Sequence, residues 1–207
     1  MKTISVRDSI MFGWETFKKR PWFLIGAVLI VVVISALLSV LTDERPEGAM
    51  SILVAIAALV INVFIEMGLV SFALKGEHDV TKLSFMDLWH SNSFWYYVGA
   101  KILTGIIVII GLVLLIVPGV IAALALIFAT YLIIDRNMGP IEAMKESVRI
   151  TKGHRWQLFL LALALLGLNI LGALALMIGL LVTVPVSLFT LAHVYRALSH
   201  TSAVAAA

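Results

Sequence analysis

The sequence contains no cysteine, which excludes disulfide bonds, thiolate metal ligands and cysteine nucleophiles. It also carries little charge, because Asp, Glu, Lys and Arg make up 13% of its 207 residues, whereas soluble domains carry about 25%. Hydrophobic residues reach 62%, and the mean hydropathy is +1.10. A soluble domain of this length could not bury so much apolar surface. The composition therefore predicts an integral membrane protein.

The net charge of +3 does not indicate a nucleic-acid partner, because the cations lie in short intervals between apolar runs. That distribution is typical of the topology signals of membrane proteins. Membrane lipids, including anionic lipids, are the expected partners, and nucleic acid is not. The sequence leaves open which proteins the chain binds and whether it forms a homo-oligomer.

Six apolar runs predict six membrane-spanning helices, since a hydrocarbon layer of about 30 Å needs roughly 20 helical residues. The turn over 42–48 is acidic and contains Pro and Gly, whereas the turn at Pro118 and Gly119 has no charged residue nearby. The predicted fold is an all-α transmembrane bundle of six helices in three hairpins. The helices occupy roughly 22–41, 50–74, 95–117, 119–134, 156–174 and 177–197.

Three polar intervals have the pattern of amphipathic helices that lie on the cytoplasmic face of a membrane. In the first, 1–21, Ile10, Trp14 and Phe17 recur at helical spacing. The second, 77–94, carries a small apolar face that includes Phe85 and Leu88. The third begins at Pro140, which suits a first helical turn, and is predicted to span 140–152 because Gly153 suits the position after a helix end.

The distribution of Lys and Arg predicts the orientation. With six crossings, 14 of the 15 Lys and Arg residues fall on the side of the termini, and Arg45 alone falls on the other side. Because cytoplasmic segments carry the excess of Lys and Arg, both termini are predicted to be cytoplasmic.

Basic residues in and after the first and third amphipathic segments lie where anionic lipid headgroups are expected. Each such charge contributes about 1 kcal/mol of attraction near an anionic surface. Their alternative role is to set topology alone. The candidate headgroup contacts are Lys18, Lys19, Arg20, Lys145, Arg149, Lys152 and Arg155.

An internal repeat is suggested by two segments that begin at Trp22 and Trp95, since Trp, Gly and Ala occur in both at the same spacing. Trp156 opens the fifth helix after a basic pair. We predict one membrane domain over 1–199 and a disordered tail over 200–207. Tryptophan also anchors helices at membrane interfaces, so shared membrane patterning is the alternative explanation. The predicted units are 1–74, 77–134 and 138–197.

Glu66 is the most unusual single residue, because it lies in the second apolar run nine residues before Lys75. That is roughly 13 Å along a helix, where a bare carboxylate is costly. Lys101 is expected at a comparable depth, and Asn62 lies one turn away on the same face. These residues predict either a structural Glu66–Lys101 pair or a proton or cation site.

No catalytic, cofactor or metal motif is present. The five histidines include no pair at i,i+4 and no HExxH, which argues against a metal site. Phosphate-binding glycine loops and paired carboxylates are also missing. The sequence therefore predicts a protein that is not an enzyme and has no cofactor.

A family resemblance is carried by Pro118 and Gly119, by the stretch 131–135 and by the segments 139–143, 145–147 and 151–154. These segments resemble poorly characterised bacterial six-helix membrane proteins, namely the YciC-like inner-membrane proteins and the membrane domain fused to glycerophosphoryl diester phosphodiesterases. The resemblance implies an all-helical, multi-pass protein of the bacterial inner membrane with no assigned activity. The phosphodiesterase activity belongs to a separate soluble barrel, so no catalytic residue is carried over.

The function predicted from the sequence is non-catalytic, in lipid interaction or membrane organisation. The first alternative is a small transporter or channel that uses the intramembrane carboxylate of Glu66. The second alternative is a membrane-embedded lipid-modifying enzyme, which the lack of a clustered acid, base or nucleophile disfavours.

Overall fold

The computed structural model describes residues 5–43, 49–88, 93–175 and 177–204. These residues form α-helices joined by turns, with two short 3-10 turns, Val80–Lys82 and Phe85–Leu88, and they contain no strand. The helices are α1 Val6–Lys19, α2 Pro21–Asp43, α3 Ala49–Asp79, α4 Phe94–Leu114, α5 Ile116–Leu126, α6 Ala129–Arg136, α7 Pro140–Thr151, α8 Arg155–Leu174 and α9 Leu180–Val204.

The predicted fold class, an all-α transmembrane bundle, is confirmed. Six stretches are long and apolar enough to cross a membrane, and they correspond to the six predicted helices, with α5 and α6 together forming the fourth. The spans are Pro21–Val40, Met50–Lys82, Phe94–Leu114, Ile116–Arg136, Arg155–Leu174 and Leu180–His200.

Several boundaries differ from the predicted ones. The second hairpin turns at Leu115, an extended residue with φ −165° and ψ 147°. Pro118 lies inside the first turn of α5, where its missing N–H would have had no helical partner. At the other end of the chain α9 continues to Val204, so residues 200–204 are helical and not disordered. Residues 44–48, 89–92 and 205–207, which include most of the predicted acidic turn and the end of the tail, lie outside the described residues.

The first amphipathic helix does not lie apart on a surface but packs lengthwise against α9. Its buried residues are Ser9, Gly13, Thr16 and Phe17, whereas Trp14 is 44% exposed. Small side chains at Ser9 and Gly13 let the two backbones approach closely, which an apolar stripe alone would not predict. The second amphipathic segment forms the two 3-10 turns against α3.

The hairpins and the amphipathic segments pack in a cyclic order. The segment that precedes each hairpin lies against the second long helix of another hairpin, so that α1 contacts α9, the 3-10 turns contact α3, and α7 contacts α5 and α6. The first long helix of each hairpin follows the same order. Phe94 of α4, for example, stacks on Phe64 of α3 with 4.8 Å between ring centroids. This order is the one expected of three repeated units, which stay a prediction.

The main buried core forms where α3, α6 and α9 converge. Met67, Phe128, Leu132 and Tyr195 are fully buried there. The Tyr195 ring lies 5.8 Å from that of Phe128. By contrast the hairpin tips expose apolar side chains, as expected of surfaces that face lipid.

Candidate functional site

The connection between α7 and α8 is a sharp turn whose backbone geometry follows from its sequence. Helix α7 ends at Thr151, and Lys152 is extended. Gly153 has φ +87°, a value that glycine adopts without a steric cost. His154 then precedes α8, which begins at Arg155. Three basic side chains are thereby placed within four consecutive residues.

Helix α7 is held against the kink between α5 and α6 by the buried hydroxyls of Ser147 and Thr151, both of which donate to the carbonyl of Ala125. Ser147 Oγ donates to the carbonyl of Ala125 at 2.8 Å and accepts the N–H of Phe128 at 3.3 Å. Thr151 Oγ1 donates to the carbonyl of Ser147 at 2.8 Å. These bonds satisfy backbone groups that the kink would leave unpaired, and they attach α7 to α5.

A basic cavity, which we call the junction depression, lies at this turn. It has a volume of about 440 Å³ and is lined by Val148, Lys152, Gly153, Arg155 and Trp156, none of which is acidic. Within the described residues, Arg155 Nε and His154 Nδ1 are buried without a hydrogen-bond partner. The first N–H groups of α8 also lack helical partners and favour an anion. The junction depression is therefore suited to negative charge.

Two apolar grooves flank the junction depression. The α4–α5–α7 groove has a volume of about 560 Å³ and is lined by residues that include Ile107, Ala122, Lys145 and Val148. The α5–α8 groove has a volume of about 540 Å³ and is lined by Ile116, Val117, Val120, Ile121, Leu124, Arg155, Trp156 and Phe159. Both groove volumes lie within the roughly 300–1,000 Å³ typical of ligand pockets.

The structure places the predicted headgroup contacts in different locations. Lys145 borders the α4–α5–α7 groove, and Lys152 and Arg155 line the junction depression. Lys18 and Lys19 are exposed in the last turn of α1, away from these cavities. The structure thus brings three of the predicted residues to one place.

Arg149 is engaged within α7. Its Nε and Nη2 atoms each donate to a Glu146 carboxylate oxygen at 2.7 Å. The hydrogen bonds from Arg149 hold the pKa of Glu146 below its ordinary value. Arg149 is therefore less suited to a lipid headgroup than Arg155.

Arg20 is also engaged within the protein. Its Nη1 donates to the carbonyls of Thr81 at 2.9 Å and Leu83 at 3.1 Å, with a longer bond to that of Val80. The guanidinium also lies 4.2 Å from the ring centroid of Phe23. This arginine fixes the 3-10 turn to the start of α2.

Glu66 and Lys101 lie together. Lys101 Nζ is 2.5 Å from Glu66 Oε2, and both side chains are slightly less than half exposed. Tyr97 donates its hydroxyl to the same carboxylate oxygen at 3.4 Å. Asn62 instead donates to the carbonyl of Ala58 in its own helix and does not join the pair.

A cluster of buried charges that sequence reasoning missed lies where α3, α6 and α9 converge. Arg196 Nη1 is 3.0 Å from Asp135 Oδ1, and Tyr195 donates to Asp135 Oδ2 at 2.8 Å. Arg196 Nε is 3.9 Å from Glu77 Oε2, an ion-pair distance and not a hydrogen bond. His193 Nδ1 lies 3.3 Å from Glu77 Oε1. The available signal was an arginine inside an apolar helix, because such a residue is buried only with partners.

Residues 97–202, just over half of the chain, match a family model described as protein of unknown function (DUF975). The chain belongs to the DUF975 family. No curated protein matches the chain, and no solved structure does. In this DUF975 protein the matched region contains the junction depression and both flanking grooves, whereas Glu66, Glu77 and Arg20 lie outside it. Among the described residues, no three His, Asp or Glu side chains are grouped as a metal ion would need.

Proposed function

We propose that this DUF975 protein is a non-catalytic membrane protein that binds anionic lipid at the junction depression. The observation that carries the proposal is a basic cavity, lined by Lys152 and Arg155, that lies between two apolar grooves. An anionic lipid is complementary to this arrangement, because it has a negatively charged head joined to apolar chains. Charge-assisted hydrogen bonds from Arg to phosphate are among the stronger polar contacts.

The proposal also includes the membrane in which the protein lies and the side on which its termini lie. The resemblance to YciC-like proteins and to the membrane domain of glycerophosphoryl diester phosphodiesterases supports the bacterial inner membrane, and the 14-to-1 distribution of cations supports cytoplasmic termini. No role in nucleic-acid binding is proposed, and a homo-oligomer is compatible with lipid binding.

Substitution of Arg155 by glutamine is expected to lower the amount of anionic lipid that copurifies with the protein about tenfold. The substitution removes a charge-assisted hydrogen bond, which contributes on the order of 1.5–3 kcal/mol. Phospholipid bound to detergent-purified protein would be measured by native mass spectrometry. Arg149→Gln is the matched control. Because the Arg149 guanidinium is already bonded to Glu146, this substitution should leave lipid binding unchanged.

Two results would contradict lipid binding at this site. One is wild-type protein whose bound lipid has the composition of the bulk membrane. The other is an equal loss of anionic lipid in the Arg155 and Arg149 variants, which would point to a general effect of charge.

A small transporter that uses Glu66 is the second candidate, because its carboxylate lies inside an apolar span and is half exposed. We expect the Glu66–Lys101 pair to be structural instead. Glu66→Gln should then destabilise the protein by about 1 kcal/mol in thermal unfolding, and adding Lys101→Met should restore the loss because it removes the unpaired ammonium. If Glu66→Gln keeps its stability and abolishes an ion or proton flux in liposomes, the transporter is favoured.

A further inference from the structure

The junction depression borders both apolar grooves. It shares Val148 with the α4–α5–α7 groove, and it shares Arg155 and Trp156 with the α5–α8 groove. Both grooves are lined by α5, one from its contact with α4 and α7 and the other from its contact with α8. A basic depression therefore lies between two apolar grooves that follow different sides of one helix.

We propose that the bound lipid is a two-chain anionic glycerophospholipid, with its phosphate in the junction depression and one acyl chain in each groove. This inference rests on the proposed function and adds the number of chains and their paths. The similar groove volumes, about 560 and 540 Å³, suit two chains of similar length. A single-chain lipid would leave one groove without its occupant.

The basic side chains lie where a phosphate would be if one acyl chain occupied each groove. Lys145 borders one groove, Arg155 borders the other, and Lys152 lines the depression between them. Glu142 and Glu146 are the acidic residues nearest to Lys145 along α7, and neither lines any of the three cavities; Glu146 is also bonded to Arg149. The cations at this turn are therefore not neutralised by acidic groups within the cavities.

The corresponding turn between α1 and α2 shows why the α7–α8 turn is the favoured site. Arg20 also precedes a tryptophan, Trp22, but its guanidinium is bonded to backbone carbonyls and lies over Phe23. The side chain of Arg155, by contrast, forms no hydrogen bond or ion pair among the described residues, and it lines the junction depression. Of these two arginines, Arg155 is the one left for an external anion.

The test is native mass spectrometry of the full chain with equal amounts of diacyl phosphatidylglycerol and its single-chain lyso form. The diacyl lipid should be retained about tenfold more strongly. Ala122→Phe partly fills the α4–α5–α7 groove, and Ile121→Trp partly fills the α5–α8 groove. Each should lower diacyl retention about tenfold by steric overlap with one chain, while the lyso form uses the remaining groove.

Ala123→Phe is the matched control, because Ala123 is exposed on the same helix and lines neither groove. It should leave the retention of both lipids unchanged. If Ala122→Phe fails to fold, Ile107→Trp fills the same groove from α4, where the side chain is already 42% exposed.

The two-chain inference and the proposed function fail in different ways. Equal retention of the two lipids, or groove variants that behave like Ala123→Phe, would overturn the two-chain inference while leaving anionic lipid binding intact. If wild-type protein retains neither lipid, both are overturned.

Discussion

Replacing Arg196 by methionine is expected to lower the free energy of unfolding by about 3 kcal/mol. Arg196 is the cation that joins Asp135 of α6 to Glu77 of α3, and its side chain is 19% exposed. The two carboxylates are also mostly buried, with 15% and 14% exposure. Without the guanidinium they would face each other with only His193, Tyr195 and the more exposed Arg136 nearby, and a buried charge without its partner costs several kcal/mol.

The measurement is thermal or denaturant unfolding in detergent, followed by tryptophan fluorescence. Lys82→Met is the control, since both side chains of its ion pair with Asp79 are exposed, 84% for Lys82 and 40% for Asp79. Exposed pairs contribute about 0–1 kcal/mol, so this variant should be close to wild type. Equal stabilities of the two variants would contradict the buried cluster.

A triple variant separates the loss of the ion pairs from the loss of packing. Glu77→Gln and Asp135→Asn together remove both carboxylate charges around Arg196→Met, and they should restore most of the lost stability. This recovery follows because the cost lies in uncompensated charge, whereas methionine keeps most of the apolar stem of arginine. If the triple variant does not recover stability, the Arg196 side chain contributes through packing and not through its charge.

The structural features that followed from the sequence are those set by neighbouring residues. Pro140 and Gly153 bound a predicted helix over 140–152, and α7 spans Pro140–Thr151. The apolar runs predicted the spans because length and hydropathy alone determine whether a helix can cross a membrane. The basic residues of the junction depression were likewise predicted as headgroup contacts, although the two apolar grooves were not.

The features that did not follow depend on residues far apart in the chain. The second hairpin turns at Leu115, three residues before Pro118. Its two helices lie so close that a side chain at Gly111 would overlap the backbone of Gly119 in the opposite helix. Likewise, Arg196 meets Glu77 only after α3 and α9 have packed, so no spacing in the sequence indicates that pair. Amphipathic periodicity predicted that α1 is helical but not that its partner is a helix instead of a lipid surface.

The packing of α1 on α9 can be tested by the sign of a glycine-to-alanine substitution. In an ordinary helix interior, Gly→Ala stabilises by about 0.5–1 kcal/mol, because glycine loses more conformational freedom on folding. At Gly13, however, a Cβ would overlap Thr190 Oγ1 and the backbone carbonyl of Val186. The hydroxyl can rotate, but the carbonyl belongs to α9 and can move only if the helices separate.

Gly13→Ala is therefore expected to destabilise the protein by about 1–3 kcal/mol, the usual cost of overpacking a close contact. Gly105→Ala is the control, since nothing lies within 4 Å of a Cβ built there, and it should stabilise the protein or leave it unchanged. The measurements are thermal unfolding and hydrogen exchange of the α1 amides, which should quicken only in the Gly13 variant. If Gly13→Ala stabilises the protein as Gly105→Ala does, α1 does not pack on α9 and lies on the membrane surface, as its amphipathic pattern alone predicts.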